Sequence, residues 1–351
     1  MNKDYYFEKG FKGSIEEIIE LFLTEFGQEI PICNYEFLKW QYFENPNGNA
    51  IIVGCRSFED NKLVGIYIVN PVNLVHNGKI IKSALSLNTF TRKDFRGLGL
   101  FPKMAEICYK ESAENDINCI IGFPNDSSYP GFLKKLNFAD LGDVTQLFKP
   151  LSVFDLLKML FKIDNKNIRK KSFIQKSNNS NYKIEKLGDP FISKFASFLG
   201  NYNKDAYCTT ERNSNYISWR YFKHPFIKYY AYTIESDNEI KAYIIFSLEN
   251  KKVRLARVVE FCVSDKFFGL QLLKNINRIL KNDFCCSIVL ASAQTETKEF
   301  EIYKKCNFFI KRKSLFKKTL SAPFILRNLE NHSFKPDIRK WNIVGGDCDV
   351  L

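Results

Sequence analysis

The spacing of apolar and polar residues predicts alternating helices and strands along the chain. Ser14-Ile15-Glu16-Glu17 has the pattern of a capping box, which opens an amphipathic helix to about Phe26. A second short helix carries Trp40, and another runs from Leu100 to about Glu111. The predicted strands of this half lie at about 50–57, 63–71, 80–91 and 118–123.

A hairpin is predicted at Asn77-Gly78, because Asn-Gly favours the type I′ turn of tight hairpins. One more helix and a final strand complete the first half. The same succession of elements returns from about 183 to 319.

An internal repeat decides the domain organisation. Trp40-Gln41-Tyr42-Phe43-Glu44-Asn45-Pro46 returns 179 residues later as Trp219-Arg220-Tyr221-Phe222-Lys223-His224-Pro225, with four identities in seven positions. Further along, 132–138 matches 302–308, and 95–100 matches 267–272 more weakly. One unit of about 140 residues therefore occurs twice.

We predict an α/β fold, of the α+β kind, with two tandem domains that each have a mixed central β-sheet flanked by helices. The first domain is placed at 1–150 and the second at 181–321. Between them, 151–180 begins as an apolar helix and continues as a basic, Asn- and Ser-rich linker. A basic helix for a membrane or calmodulin is the alternative. Residues 322–351 form a C-terminal tail.

Cysteine usage and charge narrow the class of protein. The ten cysteines have no zinc-site spacing, so we expect reduced, mostly buried thiols in the cytoplasm and no metal, with a catalytic cysteine as the alternative. No apolar run reaches the ~18 residues of a membrane span, and no signal peptide is visible. The net charge of +13 favours polyanionic partners such as coenzyme A, nucleotide-linked sugars or nucleic acid. No aromatic and basic platform for nucleic acid stands out.

Arg96-Gly97-Leu98-Gly99 follows the long predicted strand and precedes a helix. A helix N-terminus offers unpaired N–H groups and the positive end of the helix dipole, and glycines let a pyrophosphate approach the backbone. Arg92 and Lys93 add positive charge. A left-handed turn that only joins strand and helix is the alternative. The placement after a long strand inside a repeated unit favours phosphate binding.

The stretch 91–100 resembles the acyl-CoA signature of the GNAT acyltransferase superfamily, Arg-x-x-Gly-x-Gly/Ala. Arg96 and Gly99 match it, whereas Phe101 replaces the usual small residue. Gly122-Phe123-Pro124-Asn125 and the following helix resemble the next elements of the family. The repeated Trp-x-Tyr unit and the acidic tail are similar to bacterial tandem-GNAT proteins, some of which act on nucleotide-linked amino sugars for surface polysaccharides.

This resemblance implies acetyl-CoA as cosubstrate, held between strands 83–91 and 118–123 where they separate. The residues assigned to the pantetheine arm, the pyrophosphate and the thiol end are Thr89, Phe90, Thr91, Arg96, Gly97, Leu98, Gly99, Leu100, Phe101, Asn125 and Ser128. The second unit has Phe268 for Arg96 and Gln271 for Gly99. We therefore expect its phosphate turn to be lost.

Amide formation needs a base for the amine and an acid for the leaving thiolate. The tyrosine that serves as acid in many GNAT enzymes corresponds to Leu133 here and survives only as Tyr303 of the second unit. Tyr129 is the nearest substitute, with ordinary packing as the alternative. The candidate bases are His224, Asp347, Asp349 and a chain of water molecules. Loop capping for His224 and a solvated C-terminus for the aspartates are the alternatives.

The function expected from these residues is transfer of an acetyl group from acetyl-CoA to a primary amine on a small molecule, best matched by a nucleotide-linked amino sugar. The protein would be a cytoplasmic monomer or homodimer without nucleic acid or a membrane span. A Fem-type aminoacyltransferase that uses aminoacyl-tRNA is an alternative, although no coiled-coil arm is visible. A non-catalytic module that binds acyl-CoA or nucleic acid is another.

Overall fold

A computed structural model describes residues 4–152, 182–311, 322–330 and 332–348. Two mixed β-sheets, each flanked by helices, confirm the predicted fold class. The predicted linker helix and most of the linker lie outside the described residues, as does Asp349.

The first half contains the four predicted helices and the five predicted strands in the expected order, and one further strand precedes the first helix. The strands are β1 (Tyr5–Glu8), β2 (Ile51–Ser57), β3 (Leu63–His76), β4 (Lys79–Thr91), β5 (Cys119–Gly122) and β6 (Ala139–Asp143). The helices are α1 (Ile15–Leu23), α2 (Tyr35–Phe43), α3 (Leu100–Glu114) and α4 (Tyr129–Lys135). The capping box is confirmed, because the Ser14 hydroxyl accepts the Glu17 N–H and the Glu17 carboxylate accepts the Ser14 N–H.

The rest of the chain repeats this succession. Its strands are β7 (Gln146–Pro150), β8 (Lys183–Lys186), β9 (Cys208–Thr210), β10 (Tyr229–Ser236), β11 (Glu239–Asn250), β12 (Arg254–Val263), β13 (Ile288–Ser292), β14 (Phe309–Ile310), β15 (Pro323–Asn328) and β16 (Trp341–Asn342). Its helices are α5 (Ser193–Asp205), α6 (Ser214–Ile217), α7 (Lys266–Asn282) and α8 (Lys298–Lys305), and a π-helical turn (Ser218–Phe222) extends α6. Asn34 and Asn213 begin α2 and α6 in the same way, each side chain accepting a backbone N–H three residues on.

Both sheets contain strands from the other part of the chain. The first sheet has the order β1-β2-β3-β4-β5-β15-β6, with β9 on β3 and β16 on β9, and the second has the order β14-β7-β13-β12-β11-β10-β8. Strand β15 thus fills the place between β5 and β6, and β7 fills the matching place between β13 and β14. The stretch 322–351, expected as a tail, supplies two strands to the first sheet. The domain boundaries at 150 and 321 stay a prediction.

The core lies on both faces of each sheet. In the first half, α3 packs Met104, Ala105 and Cys108 on one face, and α1 and α2 cover the other. All ten cysteines are free thiols, and eight of them are buried, as expected. Within the described residues, no helix has the length and apolarity that crossing a membrane requires.

Candidate functional site

Strand β4 extends beyond the end of its parallel neighbour β5. The two pair from Ser83 opposite Cys119 to Ser86 opposite Gly122, where β5 ends, and β4 continues to Thr91 without that neighbour. The predicted splaying of these strands stays a prediction. The end of β5 leaves one edge of β4 open beside the residues assigned to the pantetheine arm.

A bulge in β4 lies next to this opening. The register with β3 shifts between the pairs Ile68–Leu87 and Ile66–Phe90. Asn88 has a positive φ of 47°, which turns the backbone locally. The hydroxyl of Thr89 is buried without a hydrogen-bond partner among the described residues.

The repeated aromatic unit holds the bulge in place, a role that sequence reasoning missed. The Asn88 side chain donates to Gln41 Oε1 at 2.8 Å and to the Tyr42 hydroxyl at 2.7 Å. Gln41 and Tyr42 belong to α2, so this helix fixes the strand edge. An asparagine inside an apolar strand was the available sequence signal, since Asn adopts the left-handed conformation more readily than most residues.

The turn at 96–99 has the geometry expected of an anion site. Gly97 and Gly99 have positive φ values of 84° and 76°, and no atom lies within 4 Å of a Cβ added at either position. Gly99 is the N-cap of α3 and offers no side chain to the first-turn N–H groups. Uncapped N–H groups at a helix N-terminus are the groups that bind an anion.

The Arg96 side chain connects this turn to β4 and to the loop after α1. Its Nε donates to the Thr91 carbonyl at 2.9 Å, its guanidinium is ion-paired with Glu25, and it lies over the Phe90 ring. The side chain therefore bridges the end of β4 and the loop after α1. Lys103, in the first turn of α3, places a second cation nearby.

Phe101, which replaces the usual small residue of the acyl-CoA signature, lies beside a glycine. Its ring packs edge-on against Phe132 at 5.5 Å. A Cβ on Gly131 would lie 3.2 Å from that ring. The large residue at position 101 is thus accommodated by a glycine at the start of α4.

Asn125 and Ser128 form the turn that leads into α4. The Asn125 side chain accepts the Ser127 and Ser128 N–H groups at 3.0 Å, and the Ser128 hydroxyl donates to the Asn125 carbonyl.

Tyr129, the candidate acid, donates its hydroxyl to Asp140 at 2.6 Å. This bond to a carboxylate raises the pKa of Tyr129 to about 12, which makes the phenol a weaker acid. Its catalytic role stays a prediction.

In the second unit, an aspartate side chain occupies the N–H groups at the position of the phosphate turn. The carboxylate of Asp265 caps α7 and accepts the N–H groups of Phe267 at 2.8 Å and Phe268 at 3.2 Å. These are the groups that a phosphate would need. Tyr303 is fully buried with its hydroxyl unpartnered among the described residues, and burial raises its pKa.

The two copies of the aromatic unit meet where the two halves join. The rings of Trp40 and Trp219 stack at 5.0 Å, and each indole N–H donates to the backbone carbonyl of the other at 2.9 Å. A cavity of about 130 Å³ opens beside them. Its apolar wall includes Leu85 and Leu87 of β4 and Ile121 of β5, so it borders both of these strands.

His224 and Asp347, two of the predicted bases, both line this cavity. The His224 Nδ1 accepts the N–H groups of Phe226 at 3.1 Å and Ile227 at 3.0 Å. Burial and the nearby Arg220 lower the pKa of His224 to about 4. These bonds assign the neutral tautomer with hydrogen on Nε2, which favours a hydrogen-bond donor over a proton acceptor.

Asp347 is held by a buried network that the sequence did not indicate. Both of its oxygens accept from Arg212 at 3.2 Å. Arg212 also donates to Glu260 at 2.6 Å, and the side chains of both these residues are fully buried. The proposed role of Asp347 as a base stays untested. Asp349 lies outside the described residues.

Among the described residues, no three His, Cys, Asp or Glu side chains form a group that could hold a metal ion. The residues assigned to acyl-CoA lie along the edge of β4, at the turn before α3 and at the start of α4. The two described candidate bases lie in the neighbouring cavity.

Comparison with known proteins supports this geometry. Residues 9–140 match the family model described as an acetyltransferase (GNAT) domain. No curated protein matches the sequence significantly. Among solved structures, the chain is similar to a GCN5-related N-acetyltransferase from Anabaena variabilis, with a TM-score of 0.65 and 12% identity over 93% of this chain and 73% of that chain.

Two further structures have the same overall fold. A GCN5-related N-acetyltransferase from Kribbella flavida has a TM-score of 0.60 and 10% identity, over 93% of this chain and 71% of that chain. The N-myristoyltransferase of Saccharomyces cerevisiae, with bound myristoyl-CoA, has a TM-score of 0.59 and 14% identity, over 97% and 88%. The chain thus has the fold of GNAT-type acyltransferases, and its residues 9–140 match the model of a GNAT acetyltransferase domain.

Proposed function

We propose that this protein is an N-acyltransferase that moves an acyl group from acyl-CoA to a primary amine. The observation that carries the proposal is the open edge of β4 beyond Ser86, followed directly by the uncapped turn at 96–99. A strand edge offers hydrogen bonds to a pantetheine arm, and the turn offers N–H groups to a pyrophosphate. Both features belong to the first half of the chain.

The acyl donor lies along β4 in this proposal. Backbone groups of 89–91 bind the pantetheine arm, and N–H groups of 97–101 bind the pyrophosphate. The unpartnered hydroxyl of Thr89 supports the first assignment, since a buried hydroxyl is normally hydrogen-bonded and a ligand would supply the partner. The capped helix α7 supports a single donor site per chain.

The acceptor enters the cavity between the two tryptophans and β4. The second half of the chain then supplies a wall of that site through Trp219 and His224, although its own phosphate turn is blocked. Small-molecule sites commonly lie at such junctions. The Nε2–H of His224 orients the acceptor, and Asp347 attracts its ammonium group and accepts its proton directly or through water.

The proposed acyl group is acetyl, and the proposed acceptor is a nucleotide-linked amino sugar of the kind used for surface polysaccharides. The net charge of +13 suits an anionic acceptor. A cavity of about 130 Å³ takes only the amine-bearing end of such a molecule, so the nucleotide would extend outside it. Orientation of the amine beside the thioester would supply much of the rate.

An assay of thiol release tests this function. The full chain is incubated with acetyl-CoA and a panel of primary amines that includes dTDP- and UDP-linked amino sugars. We expect thiol release that depends on one of the amines, with formation of its N-acetyl product by mass spectrometry. Binding of acetyl-CoA without turnover on any amine would favour a non-catalytic module.

A further inference from the structure

The second half of the chain contains a much larger cavity than the one beside the tryptophans. Its volume is about 770 Å³, within the range of sites that hold a nucleotide-sized molecule. It lies at the C-terminal end of β12, the strand of the second sheet that corresponds to β4. Residues of α5, β11 and the start of α8 surround it.

The floor of this cavity is polar and rigid. Tyr202, Glu299 and Asn342 line it and are each more than nine-tenths buried. The Tyr202 hydroxyl donates to Glu299 at 3.3 Å, and the same carboxylate oxygen accepts the Val263 N–H at 3.2 Å. Burial raises the pKa of Glu299. The floor therefore offers the hydrogen-bonding groups of a phenol, a carboxyl and an amide.

Several charges around the mouth cancel one another. Lys194 is ion-paired with Glu235, and Lys241 with Glu239, both at 2.5 Å. Glu296 is paired with Arg339 at 3.1 Å. These side chains line or border the cavity without giving it a net charge.

The remaining charges leave a surplus of cations. Lys204, Lys298 and Lys340 line the cavity and form no ion pair among the described residues, although Glu299 interacts electrostatically with Lys298 and Asp337 with Lys340. The Lys298 ammonium donates to the Ser264 carbonyl at 3.3 Å. Asp205 and Glu299 are lining carboxylates that likewise form no ion pair there. Three such lysines against two such carboxylates leave a surplus of one cation, which favours an anionic ligand.

A second acyl-CoA bound in the manner of the first unit does not fit this site. The N–H groups at the start of α7 are already taken by Asp265, so no backbone cradle is left for a pyrophosphate. An anion here must be held by side chains. Lysine binds phosphate as a point charge without requiring a fixed geometry, which suits three flexible side chains at a mouth.

We propose that this cavity is a second ligand site, which binds a phosphate-bearing small molecule of nucleotide size through Lys204, Lys298 and Lys340. The rest of the ligand lies over the floor formed by Tyr202 and Glu299. The site is separate from the acyl-CoA turn and from the cavity beside the tryptophans. It gives the second half of the chain a ligand of its own.

Calorimetry on the full chain tests the proposal, with UDP and inorganic pyrophosphate as probes. We expect the double variant Lys204→Glu/Lys340→Glu to bind at least tenfold more weakly than the wild type. The matched control is Lys186→Glu/Lys252→Glu, which makes the same charge change at exposed lysines of this half that do not line the cavity. The control should bind as the wild type does.

A variant of the first site separates the two proposals. Gly99→Val disrupts the acyl-CoA turn, which is itself proposed to take a pyrophosphate; binding of UDP and pyrophosphate should persist in this variant through the second site, whether or not the enzyme transfers acyl groups. The second site is contradicted if neither probe binds the wild type at millimolar concentration. It is also contradicted if the lysine variant and its control bind equally, or if Gly99→Val abolishes binding.

Discussion

At the residue scale, Arg96 has two possible tasks. It binds Glu25 and the Thr91 carbonyl, and in the first role these contacts hold the turn in place and nothing more. A guanidinium has five N–H donors, however, so these two contacts leave donors for a phosphate. Changing Glu25 together with Arg96 distinguishes these two roles, because each predicts a different affinity for acetyl-CoA.

Changing Arg96→Glu should weaken acetyl-CoA binding at least tenfold, about 1.4 kcal/mol, because it replaces a cation beside the pyrophosphate with a carboxylate. Calorimetry measures the change. The control is the double variant Arg96→Glu/Glu25→Gln, which removes the repulsion from Glu25. Binding should stay weak in the double variant. Recovery to the wild-type affinity would mean that Arg96 acts only through Glu25.

His224 gives a prediction of pH dependence. Its pKa in the folded protein, about 4, lies below the ordinary value of 6.5. Its contribution to stability is therefore complete above pH 6.5 and is lost as the pH falls towards 4. Asn45, its counterpart in the first repeat, accepts a backbone N–H two residues on, as His224 does.

The variant His224→Asn should keep the loop contact without titrating. Urea denaturation at pH 7.5 and pH 4.5 compares the two proteins. Between these pH values, the wild type should lose more stability than the variant. An equal loss in both proteins would show that His224 is not held neutral by its surroundings.

At the scale of elements, the bulge of β4 depends on α2. Asn88 makes two hydrogen bonds to that helix and has a positive φ. Asn88→Ala should cost about 1–3 kcal/mol, from the lost hydrogen bonds and the left-handed backbone. It should also raise the KM for acetyl-CoA, because the strand edge loses its support.

Asn77→Ala is the control for this change. Asn77 has a similar φ of 50° in the hairpin turn, away from the acyl-CoA edge. It should lower the urea midpoint and leave the KM unchanged. A KM that stays at the wild-type value in Asn88→Ala as well would mean that the bulge does not position the donor.

Local pattern was enough to predict most elements and the glycine turn before α3. The Asn-Gly hairpin, the capping box at Ser14 and the glycines at 97 and 99 each require a particular backbone conformation, which residue type reveals. The exchange of β7 and β15 was not predictable in this way. An alternating strand pattern shows which face is buried but not which sheet the strand joins.

At the scale of the whole molecule, buried contacts tie the C-terminal segment to the second half. Arg212 joins Asp347, five residues after β16, to Glu260 in β12. Local sequence patterns do not predict this network, because its members lie far apart along the chain. The network fixes the wall of the cavity in which the acceptor is proposed to bind.

Arg212→Met should destabilise the protein by about 3–5 kcal/mol, because it leaves two carboxylates buried without their cation. Urea denaturation gives the value. Arg339→Met is the control, since Arg339 forms exposed ion pairs, and its loss should cost far less stability than the loss of Arg212. Equal effects of the two changes would contradict the buried network.

The central claim is that one acyl-CoA site lies in the first half, at the turn before α3. Calorimetry with acetyl-CoA on the wild type, Gly99→Val and Gly10→Val tests it most directly. Gly10 also has a positive φ, 62°, and open space around it, so its variant carries similar backbone strain away from the turn. The account predicts one site per chain, lost in Gly99→Val and kept in Gly10→Val. Two equivalent sites, no site, or normal binding by Gly99→Val would contradict it.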